Sequence, residues 1–130
     1  MKILVAYDGS RVSENVLDLA HKHAKAFKAE LCIVITLKQS PKLEKKVIEK
    51  AEDKLKKITT HFKANGIPCT SAAVVCFQSP GEELVKFAID NDIDEIIIGV
   101  RKKSNLGKLI FGSNAQYIIL KAPCPVITVK

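Results

Sequence analysis

One stretch of the chain gathers the groups that bind phosphate: Gly99, Arg101, Lys102, Lys103, Gly107, Lys108 and Gly112-Ser113, with no acid from Val100 to the last residue. Glycine lets an anion approach the backbone, and a helix beginning at Gly112-Ser113 offers unpaired N–H groups and the positive end of its dipole. The Ser113 hydroxyl adds a donor. Asp8 is the acid that could face such a site, in the turn Asp8-Gly9-Ser10. It has a second use, since an aspartate there can accept from the backbone two residues on or from the start of the next helix, through Ser10 and Arg11. The glycine pattern is neither a P-loop nor a dinucleotide fingerprint.

Alternating segments carry these residues. Ile3 to Tyr7, Glu30 to Leu37, a segment centred on Ala72 to Cys76, Ile93 to Gly99 and Pro125 to Lys130 read as strands, the apolar runs suiting a sheet covered on both faces. Between them lie four helical patterns. The first is capped by Ser13 with apolar positions from Val16 to Phe27, and the second is opened by Pro41, with a stripe of Leu43, Val47, Ala51, Leu55, Ile58 and Phe62 ended by Asn65-Gly66. The third is capped by Ser79, with Pro80 at its first position, Glu82 completing a capping box, and a face of Leu84, Val85, Ala88 and Ile89. The fourth runs from about Ser113 to Lys121. The order β-α-β-α-β-α-β-α-β specifies an α/β fold, an open five-stranded parallel sheet with helices on both faces, in a single domain over residues 1–130. Ligands bind such sheets outside the carboxyl ends of the strands, which singles out Tyr7 to Ser10, Thr36 to Ser40 and Gly99 to Ser113.

Three stretches carry a resemblance that runs almost end to end: the opening Ile3-Leu4-Val5-Ala6-Tyr7-Asp8-Gly9-Ser10, the span from Gly99 to Gly112-Ser113, and the closing Ala122-Pro123-Cys124-Pro125-Val126-Ile127-Thr128-Val129. In these the sequence resembles the universal stress protein family. The resemblance implies a Rossmann-like domain that forms homodimers, whose ATP-binding members carry a Gly-x2-Gly-x9-Gly-Ser/Thr motif after the fourth strand. Carried over, Gly99 opens the motif and Gly112 and Ser113 close it around phosphate and ribose. Asp8 matches the acid that contacts the adenosine, and Ala6 and Thr36 sit where the family lines the adenine pocket. The second glycine of the motif is replaced by Lys102. Its side chain either fills the space of the phosphates or neutralises them, and both alternatives stand.

The expected function is that of a small ATP-type nucleotide-binding module, with or without Mg, which acts in regulation and stress response by ordering its loop rather than as a robust enzyme. Slow ATP hydrolysis is a second reading, although no histidine lies in the three loops and no general base is evident beyond Asp8. A ligand-free dimeric scaffold with Lys102 filling a vestigial site is a third. The apolar final strand would expose an edge, which favours a homodimer through it.

The formal net charge is +7, yet of 21 basic residues only Arg11 and Arg101 are arginine, which argues against sequence-specific nucleic-acid reading. Lys42 to Lys63 holds eight lysines against four acids in a helix whose Glu52–Lys56 and Asp53–Lys57 spacing suits ion pairs, so most of that charge solvates a helix face, with nonspecific RNA binding as a lesser alternative. Four cysteines lack the spacing of a zinc site or a disulfide scaffold, and His21, His23 and His61 are poorly placed as ligands. No run approaches a membrane span and the start lacks the features of a signal peptide, so the expectation is a cytoplasmic protein.

Overall fold

The computed structural model describes residues 1–101 and 111–130. Along the chain run β1 (Lys2–Ala6), α1 (Ser13–Phe27), β2 (Glu30–Lys38), α2 (Lys45–Ala64), β3 (Cys69–Cys76), α3 (Pro80–Asp90), β4 (Glu95–Gly99), α4 (Ser113–Lys121) and β5 (Val126–Val129). The strands form one sheet in the order β3-β2-β1-β4-β5, and every neighbouring pair is parallel. The chain therefore winds outward from β1 to β3, then returns to β4 on the other side. The reversal point lies between β1 and β4, where Val5 is level with Ile97, and there the loops leaving the two strands must diverge.

Alternation along the strands divides the apolar side chains into two cores. Ile3, Val5, Ile33 and Ile97 turn toward one face with residues of α1 and α2, whereas Leu4, Val34, Ile96 and Ile98 turn toward the other with residues of α3 and α4. Both central strands are fully covered, which is why β1 and β4 read as unbroken hydrophobic runs.

Several local expectations are corrected. Pro41 does not open α2. It occupies the second position of a turn in which the Leu43 N–H donates to the Ser40 carbonyl at 3.0 Å, and the helix begins at Lys45. Only the C-terminal half of the α2 stripe reaches the core: Leu55, Ile58 and Phe62 are buried, while Val47 is 44% exposed. Phe27 and Ile89, near the ends of their helices, are also exposed. Neither expected ion pair of α2 closes to 4 Å among the described residues; the pair that does is Lys45–Glu49 at 3.9 Å. Ser79 does cap α3, accepting the Glu82 N–H at 3.3 Å, and Gly66 takes the left-handed conformation after α2 with φ 77°. No described helix is long and apolar enough to cross a membrane.

Candidate functional site

Beyond Ala6 the chain turns through Gly9, whose φ of 74° suits glycine. Asp8 stabilises that turn with one carboxylate oxygen: Oδ1 accepts the Ser10 N–H at 2.9 Å and the Ser13 hydroxyl at 2.8 Å. Ser13 was expected to cap α1, but it is already helical and its hydroxyl is committed to Asp8, so no side chain caps this helix. The other oxygen, Oδ2, lies 4.0 Å from the Arg101 guanidinium. Arg101 has its side chain 77% exposed, as the sequence suggests. Partial burial pushes the Asp8 carboxyl up, but hydrogen bonds from Ser10 and Ser13 and the charge of Arg101 outweigh it and hold the group below its ordinary value of 3.8.

The turn forms one wall of a cavity of about 280 Å³ at the carboxyl ends of the central strands. Ala6, Asp8, Thr36 and Gly99 all line it, so four of the seven residues expected to bind ligand come together. Its inner surface is apolar, with Val34, Leu84, Ile98 and Ile118. Gly99 has a packing reason for being glycine as well, because a Cβ there would lie 3.0 Å from Val12 Cγ1. Gly112 differs: among the described residues a Cβ would meet nothing within 4 Å, and its φ of −63° does not demand a glycine. Gly112 is the N-cap of α4 and Ser113 its first residue, directly ahead of Asn114 and Ala115, which line the cavity. Lys102, with Lys103, Gly107 and Lys108, lies outside the described residues.

Two helix N-termini meet at this cavity, and they differ in their free donors. In α3, Pro80 has no N–H, the Gly81 N–H donates to Asn114 Oδ1 at 3.0 Å, and Glu82 and Glu83 donate to the side chain and carbonyl of Ser79. In α4 no side chain caps Gly112, and the N–H groups of Ser113, Asn114 and Ala115 have no hydrogen-bond partner among the described residues. Among the described residues the α4 terminus is therefore the one with free N–H donors, an arrangement able to receive an anion. Facing it are Asp8, an acceptor for hydroxyl donors, and the apolar inner wall, a surface suited to a flat ring.

Tyr7, in the loop the sequence singled out, lines the cavity, whereas sequence reasoning missed Asn114 and Ala115. Asn114 follows Ser113 directly and is polar, a signal that could have been used, but its bond to Gly81 spans 33 residues and depends on how α3 and α4 pack. A larger cleft of about 500 Å³ lies between α1 and α2, lined among others by Asp18, His21, Lys57, His61 and Phe62. It contains none of the expected ligand-binding residues. The open helix terminus and Asp8 concentrate the binding chemistry in the smaller cavity. Desolvation raises the thiols of Cys69, Cys76 and Cys124 above the ordinary thiol value, which makes these three poor nucleophiles.

Comparison with known proteins gives a consistent result. The universal stress protein family matches the chain over residues 1–130. A curated universal stress protein of Thermus aquaticus is 28% identical over 98% of this chain and 97% of its own length. The structure of a universal stress protein from Archaeoglobus fulgidus superposes with a TM-score of 0.84 at 32% identity, covering 100% of this chain and 93% of that one. A structure of the universal stress protein from the same organism in complex with dAMP superposes with a TM-score of 0.82 at 30% identity, covering 100% and 98%.

Proposed function

We propose that this chain, which belongs to the universal stress protein family, holds an adenine nucleotide of the ATP type at the carboxyl ends of β1, β2 and β4. One observation carries the proposal: a single cavity has an apolar wall, a carboxylate with an outward oxygen on Asp8, and beside it the uncapped N-terminus of α4. These suit a base, a ribose and phosphates in turn. The dAMP bound by the Archaeoglobus fulgidus relative supports the same ligand class. A volume of about 280 Å³ lies near the lower end of the roughly 300–1,000 Å³ of small-molecule sites, so the nucleoside fills it and the phosphates reach the mouth at Gly112.

In this assignment Ala6 and Thr36 flank the adenine, and Asp8 Oδ2 accepts from a ribose hydroxyl. Gly99 allows the ligand to approach the end of β4, while the Gly112 turn and the Ser113 hydroxyl and N–H receive the phosphates. Lys102 belongs to the same assignment as the residue that either neutralises the phosphates or obstructs them. The protein acts as a cytoplasmic stress-response module: binding orders the surface around α4 and changes what partners meet there, with Mg where the phosphates recruit it. Hydrolysis is not required. Asp8 is occupied with the turn and the ribose, leaving no separate base.

The functional unit is a homodimer through β5. That strand ends the sheet, and its Val126, Ile127 and Val129 remain half-exposed in a single chain, an open edge with apolar flanks. Titration calorimetry with ATP tests the nucleotide assignment. Saturable binding at one ATP per chain is expected, and the absence of saturable binding up to millimolar ATP refutes it.

A further inference from the structure

Asn114 lines the cavity from α4 and at the same time secures α3. Its Oδ1 accepts the Gly81 N–H at 3.0 Å, and because a backbone N–H can only donate, this bond fixes which end of the amide is oxygen. The two protons on Nδ2 are then turned away from α3, and Nδ2 has no partner among the described residues. The contact cannot easily loosen: a Cβ on Gly81 would lie 3.0 Å from the Asn114 carbonyl oxygen and 3.2 Å from its Cα, so the two helix starts are in close backbone contact. Asn114 thus closes the N-terminus of α3 while standing in the first turn of α4, beside the N–H groups of Ser113 and Ala115, which have no partner among the described residues.

We infer that Asn114 is a specificity-determining residue of the nucleotide site, donating from Nδ2 to the ligand's phosphate group and so favouring phosphorylated ligands over the bare nucleoside. The inference rests on the nucleotide assignment above and adds a side-chain donor to it. Gly81 acts through Asn114 as a positioning residue, because its N–H sets the direction of the amide.

Asn114→Asp separates ligand binding from structure. The aspartate keeps an oxygen for the Gly81 N–H and places a negative charge in the first turn of α4, where the helix dipole favours it, so the unliganded melting temperature holds or rises. It removes both amide donors and opposes a phosphate. The expected result, by titration calorimetry on the full chain, is ATP binding weakened by at least roughly tenfold with adenosine binding within about twofold of wild type. In ¹⁵N-labelled wild-type protein the Asn114 side-chain amide resonance shifts on addition of ATP and stays in place with adenosine, a readout that does not depend on the variant folding. A folded Asn114→Asp protein with wild-type ATP affinity, an equal loss for adenosine, or an amide resonance indifferent to ATP overturns the inference. Wild-type protein that binds no ATP overturns the nucleotide assignment itself, so the two failures are told apart.

Discussion

Replacing Asp8 by alanine and by asparagine separates the two duties assigned to its carboxylate. Alanine removes both hydrogen bonds made by Oδ1 and leaves the Ser13 hydroxyl, whose residue is only 3% exposed, with the longer contact to the Ser10 hydroxyl at 3.4 Å. Hydrogen bonds to charged groups contribute about 1.5–3 kcal/mol each, but the Asp8 side chain is 67% exposed and water can reach Ser10, so the net loss is about 1–2 kcal/mol. For a chain of 130 residues that lowers the melting temperature by about 3–10 °C. Asparagine keeps an oxygen for Ser10 and Ser13, and its loss stays below about 1 kcal/mol. Both variants lose the charged acceptor for the ribose, so ATP binding weakens by about tenfold or more in each. The assay is thermal unfolding without ligand, paired with ATP titration. An alanine variant as stable as wild type refutes the Oδ1 bonds, and an asparagine variant with wild-type ATP affinity refutes the ribose contact.

Acid unfolding carries the same signature. Because the folded Asp8 carboxyl lies below its ordinary 3.8, its stabilisation is fully present above that value and is lost as pH falls through the lower folded value. Wild type and Asp8→Asn should therefore converge in stability below about pH 3.8, as followed by circular dichroism, and a gap that widens there contradicts the assignment. Gly112→Ala meets open space among the described residues, so it should cost no more than the loss of an N-cap glycine, about 0.5–1 kcal/mol, while ATP affinity falls, measured by melting and calorimetry on one preparation. Gly81→Ala should cost more, about 1–3 kcal/mol in denaturant unfolding, because backbone atoms of Asn114 stand where the methyl would go. If the proposed pairing through β5 holds, wild type is dimeric by light scattering at micromolar concentration and a lysine at Val129 on the β5 edge leaves a monomer; a monomeric wild type refutes the pairing.

The layered fold was legible because each strand is a continuous apolar run and each helix has its own period: Ile96, Ile97 and Ile98 admit no amphipathic reading, and Leu55, Ile58 and Phe62 admit little else. The starts of helices were read less well. Pro41 suits a turn as well as a first helical turn, and Ser13 has a hydroxyl that either its own helix or Asp8 can use; the choice depends on neighbours brought in by the fold. The candidate site divides the same way. Ala6, Asp8, Thr36 and Gly99 stand at strand ends, so chain order and the rule for parallel sheets suffice to gather them. Asn114 and Arg101 gain their places through contacts distant in the chain, to Gly81 on the neighbouring helix and to Asp8 beyond the neighbouring strand, which no local spacing encodes.

The most direct measurement is an ATP titration followed in the backbone amide spectrum of the ¹⁵N-labelled protein. Shifts concentrated at Ala6, Asp8, Thr36, Gly99, Gly112 and Ser113, with Lys57 and His61 in the α1–α2 cleft unmoved, are predicted. Shifts centred on that cleft, or no shifts at all at millimolar ATP, would contradict the placement of a nucleotide at the carboxyl ends of the strands.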